Sequence, residues 1–255
     1  MKLGFLGSGA IATAMVSGLS SGGEERAIVL SPRNAAVAAD LARRFPQVSV
    51  ASSNQQVVDE SATVVIAVRP QIAESVLSEL RFRPSHNVIS LVSGYSVQRL
   101  SGLVAPATRI ARAVPLPSAA RRLSPTAIYP RDAEAVELFA LLGTAFAVDS
   151  EHDFDALCVA TATMATYFAF ADGAASWLAR NGIPPAQARD YIARLYAGLS
   201  DTALGEPARS FQALAADHAT RGGTNEQVLT EMIAHGTFEK FAEALDGIMR
   251  RVTAR

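Results

Sequence analysis

Short apolar runs alternate, over the first 150 residues, with stretches whose alanines and leucines recur at helical spacing, and glycine, serine and proline punctuate the joins. Lys2 to Leu6 predicts a strand, Gly7-Ser8-Gly9 a tight turn, and Ala10 to Met15 the start of a small-residue helix. The alternation continues with a strand over Ala27 to Leu30, a helix over Asn34 to Phe45, a short strand over Val48 to Ala51 and a brief helix over Asn54 to Glu60. A β-branched, buried strand is expected over Thr63 to Ala67, and a helix over Gln71 to Leu80 just after Pro70. Next come a strand over Asn87 to Leu91, a helix over Val97 to Leu103 and a strand over Arg109 to Ala113. This order predicts an α/β fold with a parallel, doubly wound sheet of Rossmann type. Thr126 to Tyr129, Ala133 to Leu142 and Ala145 to Val148 read as its continuation at one edge.

Beyond Asp149 the strand signals stop. A long alanine-rich helix is expected from Asp153 to Asn181, with Leu157, Met164, Phe168, Phe170 and Trp177 as its bulky positions. Pro184-Pro185 restarts a helix that reaches about Leu204, and three more helical segments follow to Val252. The chain therefore divides into a sheet domain over 1–149 and an all-helical domain over 150–255. Phe168, Phe170 and Trp177 read as packing residues rather than a cofactor box. Helices with apolar surface on more than one side bury the excess against a second copy, so a homodimer through the helical domain is expected.

Composition narrows the function. Hydrophobic residues make up 49% and charged ones 18%, and a formal net charge of -1 gives no general attraction to nucleic acid or anionic membrane. No uninterrupted apolar run reaches the roughly 18 residues of a membrane span, and the N-terminal segment lacks the basic lead and cleavage site of a signal peptide, which together predict a cytoplasmic protein. The single cysteine, Cys158, excludes an intrachain disulfide. His86, His152, His218 and His235 show no ligand spacing, so no metal is expected. No Ser/His/Asp order or pair of catalytic carboxylates stands in a recognisable motif, which argues against hydrolysis.

The candidate chemistry starts at Gly7-Ser8-Gly9-Ala10-Ile11-Ala12. Gly7 permits the strand-to-helix corner, Gly9 lets backbone approach a pyrophosphate, and Ala12 keeps the helix close to the sheet. The anion then rests on N–H groups at the helix start. Glycine turns are common, and the position between a strand and a helix is what points to a dinucleotide. At the end of the second strand, an acidic residue would hold the 2′-hydroxyl of NAD; this chain has Ser31-Pro32-Arg33-Asn34 instead. A hydroxyl and a guanidinium suit the 2′-phosphate of NADP, with Asn34 capping the next helix; an ordinary polar turn is the alternative.

Taken in order, the segments resemble the pyrroline-5-carboxylate reductases. The resemblance covers nearly the whole chain. It rests on the glycine turn, Ser31 and Arg33, Asn54 in Ser52-Ser53-Asn54, Val64 to Pro70, Val92-Ser93-Gly94, Arg112-Ala113-Val114-Pro115-Leu116-Pro117 and Thr220-Arg221-Gly222-Gly223-Thr224-Asn225. It implies NADPH-dependent reduction of a cyclic imine, 1-pyrroline-5-carboxylate, to proline. The cofactor would be lined by Leu6, Gly7, Ser8, Gly9, Ala10, Ile11, Ser31, Arg33, Asn54, Ala67, Val68, Arg69, Pro70, Val92 and Ser93. Thr220 would approach the substrate, Gly222 and Gly223 would offer N–H groups to its carboxylate, and Thr224 and Asn225 would sit at the reacting centre. Two glycines before a helix make an anion-binding nest, though a plain interhelical turn capped by Thr224 or Asn225 fits the same residues. The departures fall in this half. Thr161 to Tyr167 keeps only the tyrosine of a family motif that is otherwise small, with Met164 where the family has glycine, and Asn225 replaces a threonine. Hydride transfer is easiest to a protonated imine, whose nitrogen Asn225 can orient through its carbonyl oxygen without relaying a proton.

Overall fold

The computed structural model describes residues 2–254. Two compact units divide them, the first running to Cys158 and the second over Val159–Ala254.

The first unit is built on an eight-stranded sheet. In chain order it holds β1 (Lys2–Leu6), α1 (Ala10–Ser21), β2 (Ile28–Leu30), α2 (Ala35–Arg44), β3 (Val48–Val50), α3 (Asn54–Glu60), β4 (Ser61–Ile66), α4 (Pro70–Leu77), β5 (Asn87–Ser90), α5 (Val97–Leu103) and β6 (Arg109–Val114). A 3-10 helix (Pro117–Arg121), β7 (Ser124–Tyr129), α6 (Ala133–Ala140) and β8 (Gly143–Ala147) complete it. The strand order is β3-β2-β1-β4-β5-β6-β7-β8. Neighbours pair parallel throughout except at β6 and β7. That antiparallel step departs from the all-parallel expectation for a simple reason: only the 3-10 turn joins β6 to β7, too short for the crossover a parallel neighbour needs. α6 then supplies such a crossover, and β8 returns parallel.

Both faces of the sheet are covered, so strand side chains alternate between two cores. Leu3, Phe5, Val65 and Ile89 pack with Met15, Leu19 and Phe139 on one side; Leu6, Val64, Ile66 and Val88 pack with Val57, Leu77 and Leu100 on the other. Burial on both faces is why these strands read as near-continuous apolar runs.

The remaining helices are α7 (Glu151–Ala160), α8 (Thr163–Arg180), α9 (Pro185–Gly205), α10 (Phe211–His218), α11 (Thr224–Ala234) and α12 (Thr237–Thr253). The single helix expected from Asp153 to Asn181 is instead broken at Thr161-Ala162. There the Ala162 N–H bonds to the Val159 carbonyl and the Thr163 hydroxyl turns back to the Ala160 carbonyl at 2.8 Å, a local bond that competes with the helical ladder. Together α7 and α8, Glu151–Arg180, are long and apolar enough to cross a membrane by length and composition. Within the second unit only Val159, Ala188 and Ile192 are buried hydrophobics, while Phe168, Trp177, Leu204 and Phe211 are 68%, 57%, 81% and 82% exposed. The aromatics expected in a core of this unit are therefore on its surface. α7 as far as Cys158 belongs with the sheet: Phe154 is buried, and Arg112 of β6 bonds Glu151 at 2.7 Å and Asp155 at 3.1 Å while lying 4.3 Å over the Phe154 ring.

Candidate functional site

The strand order turns back between β1 and β4, so the connections leaving those strands go to opposite sides and open a crevice at their carboxyl ends. The glycine turn lies there. Gly7 has φ +104°, and a Cβ on it would lie 2.6 Å from the Ala67 carbonyl, so the loop after β1 and the loop after β4 touch at a position only glycine fills. Ala67 in turn donates its N–H to the Leu6 carbonyl at 2.8 Å. Gly9 is different: a Cβ there would meet nothing within 4 Å. Open space over Gly9, ahead of the first turn of α1, is what a ligand approaching the helix N–H groups requires. Ser8 lies between them, buried, with a hydroxyl that has no partner among the described residues. Ala12 is buried in the core beneath the turn, as its small size suggests.

Ser31 and Arg33 separate into two roles. Ser31 is 1% exposed, and its hydroxyl accepts the Gly7 N–H at 2.9 Å. Its oxygen braces the glycine turn from β2, and its own O–H remains a donor. Arg33 is exposed and forms no ion pair or hydrogen bond with any described residue. It is a cation at the end of β2 available to an anion. Asn34 occupies the N-cap position of α2, but its side chain makes no capping bond, against expectation, because its backbone (φ -103°, ψ 73°) is not extended. Asn54 begins α3, which Ser53 caps instead through the Gln56 N–H.

The other expected cofactor residues gather at the same strand ends. Ala67, Val68 and Arg69 form the loop after β4, with Pro70 opening α4; Arg69 is exposed. Val92 is buried and its N–H is taken by the Ser90 hydroxyl at 3.2 Å, while Ser93 is exposed. Leu6 is fully buried, its side chain in the core and its carbonyl taken by the Ala67 N–H. Ala10 is exposed and Ile11 half-buried at the start of α1.

The expected substrate residues lie in the second unit. Met164 and Tyr167 are exposed on α8, Tyr167 packing against Phe168 and Tyr196 with ring centroids 5.2 and 5.8 Å away. Among the described residues, no hydrogen bond or ring contact brings either to the turn at 220–225. In that turn the Gly223 N–H donates to the Thr220 carbonyl at 2.8 Å, and the Gly222 N–H donates to Glu226 Oε2 at 2.6 Å. Both donors expected to meet a substrate carboxylate are thus already engaged. Thr224 opens α11 after the N-cap Gly223, and the Asn225 amide nitrogen donates to the His218 carbonyl at 3.1 Å, so its oxygen is not used by that bond. Glu226 was not singled out by its sequence context. Its signal is the spacing of a glutamate three residues after the N-cap, where its carboxylate reaches back to the helix entry.

Cys158 supplies no nucleophile here. Burial pushes its thiol up to about 11, Asp155 adds to the shift and Arg112 opposes it, so the thiolate is scarce at neutral pH.

A doubly wound sheet with a glycine turn at its switch point is the architecture in which dinucleotides bind, and here a helical unit rich in exposed apolar side chains follows it. Residues 2–94 match the family described as NADP oxidoreductase, coenzyme F420-dependent, and residues 151–254 match the pyrroline-5-carboxylate reductase dimerisation family. The chain is 24% identical to a pyrroline-5-carboxylate reductase of Vibrio alginolyticus over 98% of its own length and 96% of the relative's. Among solved structures, 1-pyrroline-5-carboxylate reductase from Streptococcus pyogenes superposes with a TM-score of 0.87 at 25% identity, covering 100% of this chain and 99% of that one. A Plasmodium falciparum pyrroline carboxylate reductase with NADP bound shares the fold, with a TM-score of 0.83 at 18% identity over 100% and 97% of the two chains. Over its whole length the chain resembles the pyrroline-5-carboxylate reductases, and its helical unit matches their dimerisation domain.

Proposed function

We propose that this protein is an NADPH-dependent reductase of a small cyclic imine, with 1-pyrroline-5-carboxylate, named by its relatives, as the reference substrate and proline as the product. The observation that carries the cofactor half is the crevice between the loops after β1 and β4: Gly7 braced by Ser31, open space over Gly9, an unpartnered Ser8 hydroxyl and an exposed, unpaired Arg33 at the end of β2. These residues fit a dinucleotide diphosphate and a 2′-phosphate. Ser8, Gly9, Ala10 and Ile11 would hold the diphosphate, Arg33 the 2′-phosphate, and Asn54, Ala67 to Pro70, Val92 and Ser93 would flank the rest. Bound NADPH supplies a hydride from nicotinamide C4 to the carbon of a protonated C=N bond, whose π pair becomes the amine lone pair as NADP⁺ is left.

The chain's own task is to select and orient the iminium. Asn225 accepts the ring N–H through its amide oxygen, its amide nitrogen being held by the His218 carbonyl, with Thr224 its neighbour at the start of α11. An amide N–H is too weakly acidic to give up its proton, so the proton comes with the substrate. Glu226 on the Gly222 N–H favours a second reading within this chemistry, reduction of an imine other than the carboxylated pyrroline. The NADP-binding sheet unit and the substrate-and-dimer helical unit divide the labour between the two halves of the chain. The exposed apolar side chains of α8, Phe168 and Trp177 among them, serve subunit contact.

The test is NADPH oxidation by the full chain with 1-pyrroline-5-carboxylate and a panel of cyclic imines across pH. Turnover that falls as pH rises through the imine's own pKa, and that Asn225→Thr extends to higher pH, is the expected result. A chain that binds NADPH but reduces no imine is a non-catalytic binder.

A further inference from the structure

The turn that opens α11 is closed on itself by the chain's own groups. Gly222 holds φ at +74°, a conformation that brings successive N–H groups to one side. Glu226 takes the first of them and the Thr220 carbonyl the second. A cavity of about 330 Å³ lies against this turn, lined by Gly222, Gly223, Glu226, Gln227, Thr230 and Glu231. Its lining carries two carboxylates and no basic side chain. Arg221, adjacent in the chain, is exposed and outside that lining. A carboxylate arriving here meets an occupied donor and like charges, whereas a protonated imine meets acceptors.

We propose that Glu226 is a specificity-determining residue, and that by holding the Gly222 N–H it biases the reductase toward cyclic iminium ions that carry no carboxylate. The inference rests on the reductase reading given above and names the substrate class for it. 1-Pyrroline and 1-pyrroline-5-carboxylate differ only in the carboxylate, so their ratio isolates the effect. The preference should reside in KM, because Glu226 acts on binding of a group remote from the reacting carbon.

The experiment follows NADPH oxidation with both rings for wild type, Glu226→Gln, Glu226→Ala and Arg221→Ala, using the full chain. NADPH affinity, measured separately, reports that each variant is folded. Glutamine keeps an oxygen for the Gly222 N–H and removes the charge; alanine removes both. We expect wild type to favour 1-pyrroline in kcat/KM by about tenfold or more, and Glu226→Ala to shift the ratio toward the carboxylated ring by a similar factor, with Glu226→Gln shifting it less. A wild-type preference for the carboxylated ring that Arg221→Ala abolishes would assign the carboxylate to Arg221 and overturn the inference. So would a ratio that Glu226→Ala leaves within about twofold in an active enzyme. Oxidation with neither ring, by a chain that still binds NADPH, removes the reductase reading itself and the inference with it, and is distinguishable from an active enzyme whose ratio does not move.

Discussion

Ser31 and Arg33 stand two positions apart at the end of β2 and predict different phenotypes. Arg33, exposed and unpaired, is the group that a 2′-phosphate would engage, and a hydrogen bond to a charged partner contributes about 1.5–3 kcal/mol. Arg33→Ala should weaken NADPH by roughly ten- to a hundredfold and leave NADH nearly unchanged. Ser31→Ala instead removes the acceptor of the Gly7 N–H, so both cofactors should weaken together, by about 1 kcal/mol. Parallel titrations of the two cofactors into both variants decide it; an NADPH-specific loss in Ser31→Ala would place Ser31 at the phosphate as well. His86 makes a pH-dependent contribution. Burial, aided by nearby Arg83, pulls its imidazole below the ordinary 6.5, and its Nδ1 accepts the Arg83 N–H at 3.0 Å. The unfolded chain therefore binds the proton more readily. The stability from neutral His86 is complete above the unfolded value and is lost as pH falls from there through the folded one. Denaturant unfolding of wild type and His86→Gln between about pH 8 and pH 5 checks the sign: the gap between them should narrow as the pH drops.

At the scale of elements, the β1–α1 turn separates a glycine the fold needs from one the ligand needs. Gly7→Ala forces a Cβ to within 2.6 Å of the Ala67 carbonyl at a positive φ, a strain on the order of 1–3 kcal/mol or more, so it should lower thermal stability as well as NADPH affinity. Gly9→Ala meets no protein atom and has an extended backbone, so its melting should match wild type while NADPH binding falls. Unimpaired binding by Gly9→Ala would mean the open space above it is not where the cofactor sits. Most of these elements were legible in the sequence because apolar runs and their Gly, Pro and Ser boundaries are local signals. α3 and α5 coincide with their expected ranges, and β1 with its apolar run. What was not legible depends on distant partners. The Ser31 hydroxyl is committed to a residue 24 positions away, Phe168 and Trp177 look alike in sequence whether they face a core or a subunit, and the reversal at β7 follows from a connection too short to cross over. The glutamate on Gly222 sits at ordinary capping spacing, and only the folded turn shows which N–H it takes.

The two units of the whole molecule stand in opposite energetic positions. The sheet unit buries large side chains on both faces, while the helical unit leaves Phe168, Trp177, Tyr191, Leu204, Phe211 and Val228 exposed. Apolar patches of that kind on a folded chain mark an interaction surface, and the match of residues 151–254 to a dimerisation family indicates a second copy as the occupant. Stable interfaces of this type bury about 2,000 Å² or more, dominated by aromatic and aliphatic anchors. Sedimentation of the full chain at micromolar concentration should therefore give a dimer or larger homo-oligomer, with a melting temperature that rises with protein concentration. Phe168→Glu and Trp177→Glu put a charge onto that surface, where a monomer would tolerate it at a cost within about 0.5 kcal/mol and an interface would not. The paired substitution should yield monomers, lower the melting temperature and remove its concentration dependence. Wild type that sediments as a monomer with its helices intact would show that the helical unit carries its apolar surface for a partner other than itself.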